Sequence, residues 1–224
     1  MVHLPLYIDV SGKTVVVFGG GSVGGRRARM FSEAGARVVV AAEWFSREVE
    51  DLASMGAVEL VKLKLPDDLG KARELIDRAW LVVVALGDKE AARVVAEEAL
   101  KRGKLVNNAI EANLGDVVVP FRAVVWSDLH IAVTSLGLTG IGARTALEEA
   151  VRFLESRKDL RNLYESLKLV KKTLKSKIPD VRVRIDLYFK IASDSEFQRL
   201  AKAGRVEEAL ERALTIAGLE RVNA

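Results

Sequence analysis

Short apolar runs and amphipathic stretches alternate along the first half of the chain. KTVVVFG (13–19) is a β-branched run that ends in glycine. Residues 23–34 then take helical spacing and stop before Gly35. RVVVAA (37–42) predicts a second strand, and VELVKLKL (58–65) a third, more exposed one, because its apolar positions partly alternate. AWLVVVAL (79–86) is apolar throughout, the mark of a strand buried on both faces. DKEAARVVAEEALKRG (88–103) predicts a helix with Asp88 as N-cap and Gly103 just past its end. KLVNNA (104–109) predicts a fifth strand. Strand and helix in alternation at this spacing mean βαβ units and a parallel sheet.

The pattern then changes. DVVVPFRAVVWSDLHIAVTS (116–135) holds strand-like runs with no helix between them, and Pro120 and Ser127-Asp128 are edge or turn signals. These predict an added antiparallel pair. From Thr139 to Ser176 the period is helical, with Leu160, Leu163, Leu167, Val170 and Leu174 on one stripe. KIPD (177–180) breaks that helix. Two short helices follow at 194–203 and 206–217, with Asp194 as a cap and Gly204 as a stop. The expected organisation is an α/β domain over 1–112, a small antiparallel segment over 113–150 and a helical region over 151–224.

Composition narrows the chemistry. The 224 residues include no cysteine and only His3 and His130, which excludes thiolate nucleophiles and argues against a multi-histidine metal site. No apolar run approaches the length of a membrane span, and the first residues do not read as a signal peptide, so a cytoplasmic protein is expected. Residues 1–150 carry 18 Lys+Arg and 20 Asp+Glu, whereas 151–224 carry 17 and 11. The basic second part suits an anionic partner or simply a solvated helix surface. It has no aromatic interleaving of the kind that nucleic-acid binding uses, so a nucleic-acid partner is not expected.

The candidate chemistry begins at FGGGSVGGRRARMF (18–31). Gly19-x-Gly21-x-x-Gly24 follows a strand and opens a helix, the setting of a dinucleotide fingerprint and of a Rossmann-like fold. The first glycine permits the turn, the second admits a pyrophosphate and the third lets helix pack on strand. Ser22 and Val23 fall in the helix N-terminus that would hold the phosphates, and Leu86 ends the fourth strand beside them. Glu43 stands just past the second strand, where an acidic residue grips the ribose hydroxyls and repels the 2′-phosphate of NADP. NAD is therefore the expected cofactor. Glu43 has a plainer alternative as the start of a loop, and Arg47 would reverse the preference if it pointed inward. Arg26 and Arg27 follow in the helix about 100° apart, so at most one aims at the site.

Several segments together resemble the precorrin-2 dehydrogenases, which also form the N-terminal part of siroheme synthases. The resemblance runs through Leu4, Pro5, Leu6, Gly12, Lys13, the triple glycine 19–21, Val23, Arg26 and Arg27. It continues in LVVVALGDKEAARVVAEEALKRGKLVNNA and in VVVPFRAVVWSDLHIAVTSLGLTGIGARTALEE, and covers roughly residues 4–150. It implies oxidation of precorrin-2 to sirohydrochlorin with NAD⁺ as hydride acceptor, in siroheme biosynthesis. It implies a homodimer whose contact is built by the segment after the Rossmann-like domain. It also implies a polycarboxylate tetrapyrrole as substrate, for which Arg26, Arg27, Asn108, Ser135, Thr139 and Arg144 are the candidate contacts.

The chain departs from the family at one place. Many members carry Val-Asn-x-x-Asp after the fifth strand, and that Asp is the suspected base and metal-associated carboxylate. Here the segment reads VNNAIEAN: Ile110 takes the Asp position and Glu111 follows it. Glu111 is the candidate base, with a loop glutamate as the plain alternative and Asp116 as the next choice. Asn107 is a candidate cofactor contact, or it and Asn108 only close the turn after the strand. Ser135 and Thr139 either bind carboxylates or merely cap the next helix. With the Asp absent and His130 in a strand, no metal ligand is assigned and iron insertion is not expected. The competing reading is a non-catalytic NAD-binding regulator on the same fold.

Overall fold

The computed structural model describes residues 3–111 and 114–219. They divide into two compact units: the first runs to Pro120 and includes Leu136–Leu138, and the second holds Phe121–Ser135 and the chain from Thr139 onward.

The first unit is a parallel sheet flanked by helices. Its elements are β1 (Thr14–Phe18), α1 (Ser22–Glu33), β2 (Arg37–Ala42), α2 (Arg47–Ser54), β3 (Glu59–Lys62), α3 (Leu69–Arg78), β4 (Leu81–Val84), α4 (Lys89–Lys101) and β5 (Leu105–Asn108). The strand order is β3-β2-β1-β4-β5, all parallel. The chain therefore reverses its winding direction at β1, and ligands of such sheets bind at that switch point, outside the carboxyl ends of the strands. β1 explains the two-layer burial. Val15 and Val17 face one way, into a core with Ala28, Phe31, Val49 and Val83. Val16 and Phe18 face the other, with Ile76, Val82, Val84, Val95 and Ala96. All four β4 residues are buried, as continuous apolar character requires, whereas the edge strand β3 is only partly covered. Asp88 caps α4 by accepting from the Ala91 N–H at 2.8 Å.

The second unit starts with an antiparallel hairpin, β6 (Phe121–Val125) and β7 (Leu129–Val133). Its turn uses the left-handed backbone at Trp126 (φ 51°) and Ser127 (φ 73°). Trp126 packs on Tyr164, with ring centres 5.6 Å apart, and Lys168 reaches Asp128 at 2.6 Å, so the turn is held against a helix. The helices are α5 (Gly140–Ser156), α6 (Lys158–Lys177), α7 (Val181–Ser193), α8 (Ser195–Lys202) and α9 (Val206–Ile216). The helical stretch expected as one piece over 139–176 is two helices, broken at Arg157 (φ −97°, ψ 76°). Arg157 there pairs with Asp159 at 2.8 Å. From Leu163 onward the predicted stripe packs: Val170 and Leu174 lie with Ile191, Phe197, Leu200, Ala209 and Ala213, and Leu163 and Leu167 lie against them. Asp194 caps α8 and is gripped by Arg212 at 2.6 and 3.0 Å. The Arg212 hydrogen bonds lead, and with the cap they hold its carboxyl at a pKa of about 2.

Candidate cofactor cleft

At the carboxyl end of the parallel sheet the first unit opens into a cleft of about 450 Å³. The glycine turn forms its floor. Gly19 has φ 124°, and a Cβ there would lie 2.7 Å from the Ala85 carbonyl carbon. Its N–H donates to the Ala41 carbonyl at 3.0 Å, and the Ala85 N–H donates to Phe18 at 2.8 Å, so the turn is pinned between β2 and β4. Gly24 sits one turn into α1, where a Cβ would fall on the Gly19 carbonyl. Gly21 differs. A Cβ there meets nothing closer than Trp44 Cη2 at 3.6 Å, so its missing side chain leaves space in the cleft.

Gly21 is also the N-cap of α1 and supplies no capping side chain, and the first turn carries no acidic residue. The opening N–H groups of the helix and its positive end are thus left for an exogenous anion. Ser22 and Val23 line the cleft, as do Ala41, Ala42, Glu43 and Trp44 at the end of β2. Leu86, Gly87 and Asp88 after β4, Ala91 of α4, Leu63, Leu65 and Ile110 complete the wall. A close glycine turn, an uncapped helix N-terminus, an exposed carboxylate and an apolar lining are what a dinucleotide needs, so the residues present fit NAD.

Of the expected cofactor residues, Gly19, Gly21, Ser22, Val23, Glu43 and Leu86 therefore share one cleft. Gly24 lies beneath it and serves packing. Asn107 does not line it. Val83 is its partner in register, and its amide N–H donates to the Val117 carbonyl at 2.7 Å while its Oδ1 is buried without a partner. Asn108 is buried too, and its Oδ1 accepts from the Ile110 and Glu111 N–H groups, each at 2.9 Å. That double bond shapes the loop after β5. It turns Ile110 to the cleft wall and leaves Glu111 exposed next to it.

The two arginines of α1 separate as their spacing requires. Arg26 is exposed, whereas Arg27 is half-buried with its Nε unpartnered, and burial together with the neighbouring Arg26 charge lowers its pKa. The other expected substrate contacts lie in the second unit. Ser135 Oγ donates to the Thr139 carbonyl at 2.9 Å and accepts from the Thr139 N–H at 2.8 Å, and Thr139 Oγ1 caps α5 through the Gly142 N–H at 3.1 Å. Arg144 pairs with Glu148 at 2.8 Å and borders a hollow of about 640 Å³ with Phe121, Leu147 and Arg152. Among the described residues no three His, Asp or Glu side chains gather as a metal site. Nor is any helix there long and apolar enough to cross a membrane.

Comparison with known proteins agrees with this geometry. Residues 6–121 match a family model described as putative NAD(P)-binding. The precorrin-2 dehydrogenase of Methanosarcina barkeri is 30% identical over 223 residues, spanning 99% of this chain and 96% of that protein. The chain belongs to the precorrin-2 dehydrogenase family. A siroheme synthase of Stutzerimonas stutzeri is 34% identical over 144 residues, which is 64% of this chain but only 30% of that longer protein. A solved structure titled SirC, precorrin-2 dehydrogenase, superposes with a TM-score of 0.66 at 20% identity, covering 94% of this chain and all of that one. That likeness extends the shared fold through the helical region. Trp44, Leu63, Leu65, Ala91 and Ile110 are cleft residues that the sequence reading did not assign. Trp44 alone carried a signal, its place directly after Glu43.

Proposed function

We propose that this protein oxidises precorrin-2 to sirohydrochlorin with NAD⁺. The observation that carries the reading is the cleft at the sheet's switch point, where Gly21 and the uncapped α1 N-terminus meet Glu43 within a family-matching chain. In this reading the N–H groups of Ser22 and Val23 hold the pyrophosphate and Glu43 holds the ribose hydroxyls, which favours NAD over NADP. Bound NAD⁺ supplies a hydride acceptor. The macrocycle loses a hydride and a proton, and Glu111 takes the proton, an exposed carboxylate that directly follows Ile110 of the cleft wall. Ile110 and Leu86 keep the wall apolar and so exclude water from the transfer. In the first unit Arg27 meets a substrate carboxylate, with Arg26 as an outer contact, and Asn108 shapes the loop that carries Glu111. Asn107 supports the cofactor side through β5.

The protein works as a homodimer in the cytoplasm in this reading. The β6–β7 hairpin supports the dimer: two strands alone are marginal, and Phe121, Val124, Ile141 and Phe153 expose apolar surface around it. Light scattering should give twice the chain mass, and a monomer refutes this part. Calorimetric titration with NAD⁺ and NADP⁺ should give the tighter binding for NAD⁺. Equal affinities refute the role of Glu43.

A further inference from the structure

The cleft holds an exposed tryptophan to which the glycine fingerprint and Glu43 give no task. Trp44 is 63% exposed, although it lines a concave surface. The chain two residues beyond it is tied to the glycine turn, because the Ser46 N–H donates to the Gly20 carbonyl at 2.8 Å. Gly20 also lacks the Cβ that would strike the Trp44 carbonyl. The indole's six-membered ring reaches over Gly21, with Cη2 and Cζ2 3.6 and 4.0 Å from where a Cβ would stand. The ring thus lies beside the phosphate-binding turn, on the residue that directly follows Glu43 and in the same cleft. An exposed indole in this position offers a flat apolar face to whatever extends beyond the ribose. On that side of a dinucleotide the next group is the adenine, a planar ring suited to stacking.

We propose that Trp44 is a stacking wall for the adenine, so that the cleft recognises the adenosine half of the cofactor by an aromatic contact. The inference rests on the reading that the cleft takes NAD, and the test separates the two. Tryptophan fluorescence and calorimetry are followed while wild type, Trp44→Phe and Trp44→Ala are titrated with NAD⁺, ADP-ribose and nicotinamide mononucleotide. NAD⁺ and ADP-ribose should quench the wild type, and the mononucleotide should not. Trp44→Phe keeps a flat face, so it should bind ADP-ribose within about threefold while the quench disappears. Trp44→Ala should weaken ADP-ribose at least about tenfold, or about 1.4 kcal/mol, with unchanged melting. Wild-type affinity in Trp44→Ala, or a quench that survives in Trp44→Phe, overturns the stacking role while leaving the cofactor reading intact. Quenching by sirohydrochlorin but not by ADP-ribose reassigns the indole to the substrate and overturns the proposal. No binding heat for NAD⁺ in the wild type overturns the cofactor reading and the stacking role with it.

Discussion

Gly21 and Gly24 belong to one motif, yet substitution by alanine should separate folding from binding. A methyl on Gly24 falls on the Gly19 carbonyl oxygen and comes within 2.9 Å of its carbon. Both atoms are main chain of a turn held by β2 and β4, so α1 must move outward by about 1 Å. Overpacking of this kind costs about 1–3 kcal/mol. At about 3 °C per kcal/mol for a chain of this size, the melting temperature should fall by about 3–9 °C. The displaced helix N-terminus should also bind NAD⁺ less well. A methyl on Gly21 meets only Trp44 Cη2 at 3.6 Å, an ordinary contact, and the N-cap change costs at most about 1 kcal/mol. Gly21→Ala should therefore melt within about 3 °C of wild type. Its methyl occupies the phosphate approach and should weaken NAD⁺ about tenfold. Thermal unfolding with and without NAD⁺ reads both effects, since ligand at a hundred times Kd adds about 2.7 kcal/mol. A Gly24→Ala protein that melts and binds like wild type refutes the packing argument. A Gly21→Ala protein with wild-type affinity refutes the use of that space for phosphate.

Glu111→Gln should lower turnover at least about tenfold and leave NAD⁺ affinity unchanged, and full activity in steady-state assays moves the base to Asp116. Arg27→Met removes a half-buried guanidinium whose Nε has no partner, so melting should hold or rise while the KM for precorrin-2 increases; lower melting with an unchanged KM makes Arg27 structural. Asp194 has a folded pKa of about 2 against an ordinary 3.8, so its carboxylate stabilises the fold above pH 3.8 and that gain is lost as pH falls toward 2. Asp194→Asn should melt lower than wild type at pH 7, with the gap closing in acid. A gap independent of pH, measured by circular dichroism, refutes the Arg212 pairing as its source.

The parallel half of the fold was legible because its inner strands are apolar on both faces and several of its breaks fall at glycines. β4 reads from LVVV alone, and Asp88 marks the start of α4. The helical half was less so. α7 begins VRVRI, which alternates every second residue and hides a helix. Val181, Val183, Ile185 and Phe189 stay exposed, and the helix is set by the Asp180 cap and by Leu187, Tyr188 and Ile191, which pack in the helical core. The break at Arg157 has neither glycine nor proline to announce it. In the cleft, glycine spacing located Gly19, Gly21 and Gly24 because main-chain geometry dictates them. The wall residues Leu63 and Leu65, after β3, and Ile110, after β5, come from two segments that only the fold gathers. Asn107 had two readings, a cofactor contact or a closure of the turn after β5, and the return of the chain through Val117 is what takes up its amide N–H.

Oxidation of precorrin-2 is read out by mixing the purified protein with precorrin-2 and NAD⁺ under anaerobic conditions. Absorbance should rise at 340 nm, matched mole for mole by conversion of the pigment to the sirohydrochlorin spectrum. Pigment left unchanged by a protein that still binds NAD⁺ would contradict it and leave a cofactor-binding regulator in its place.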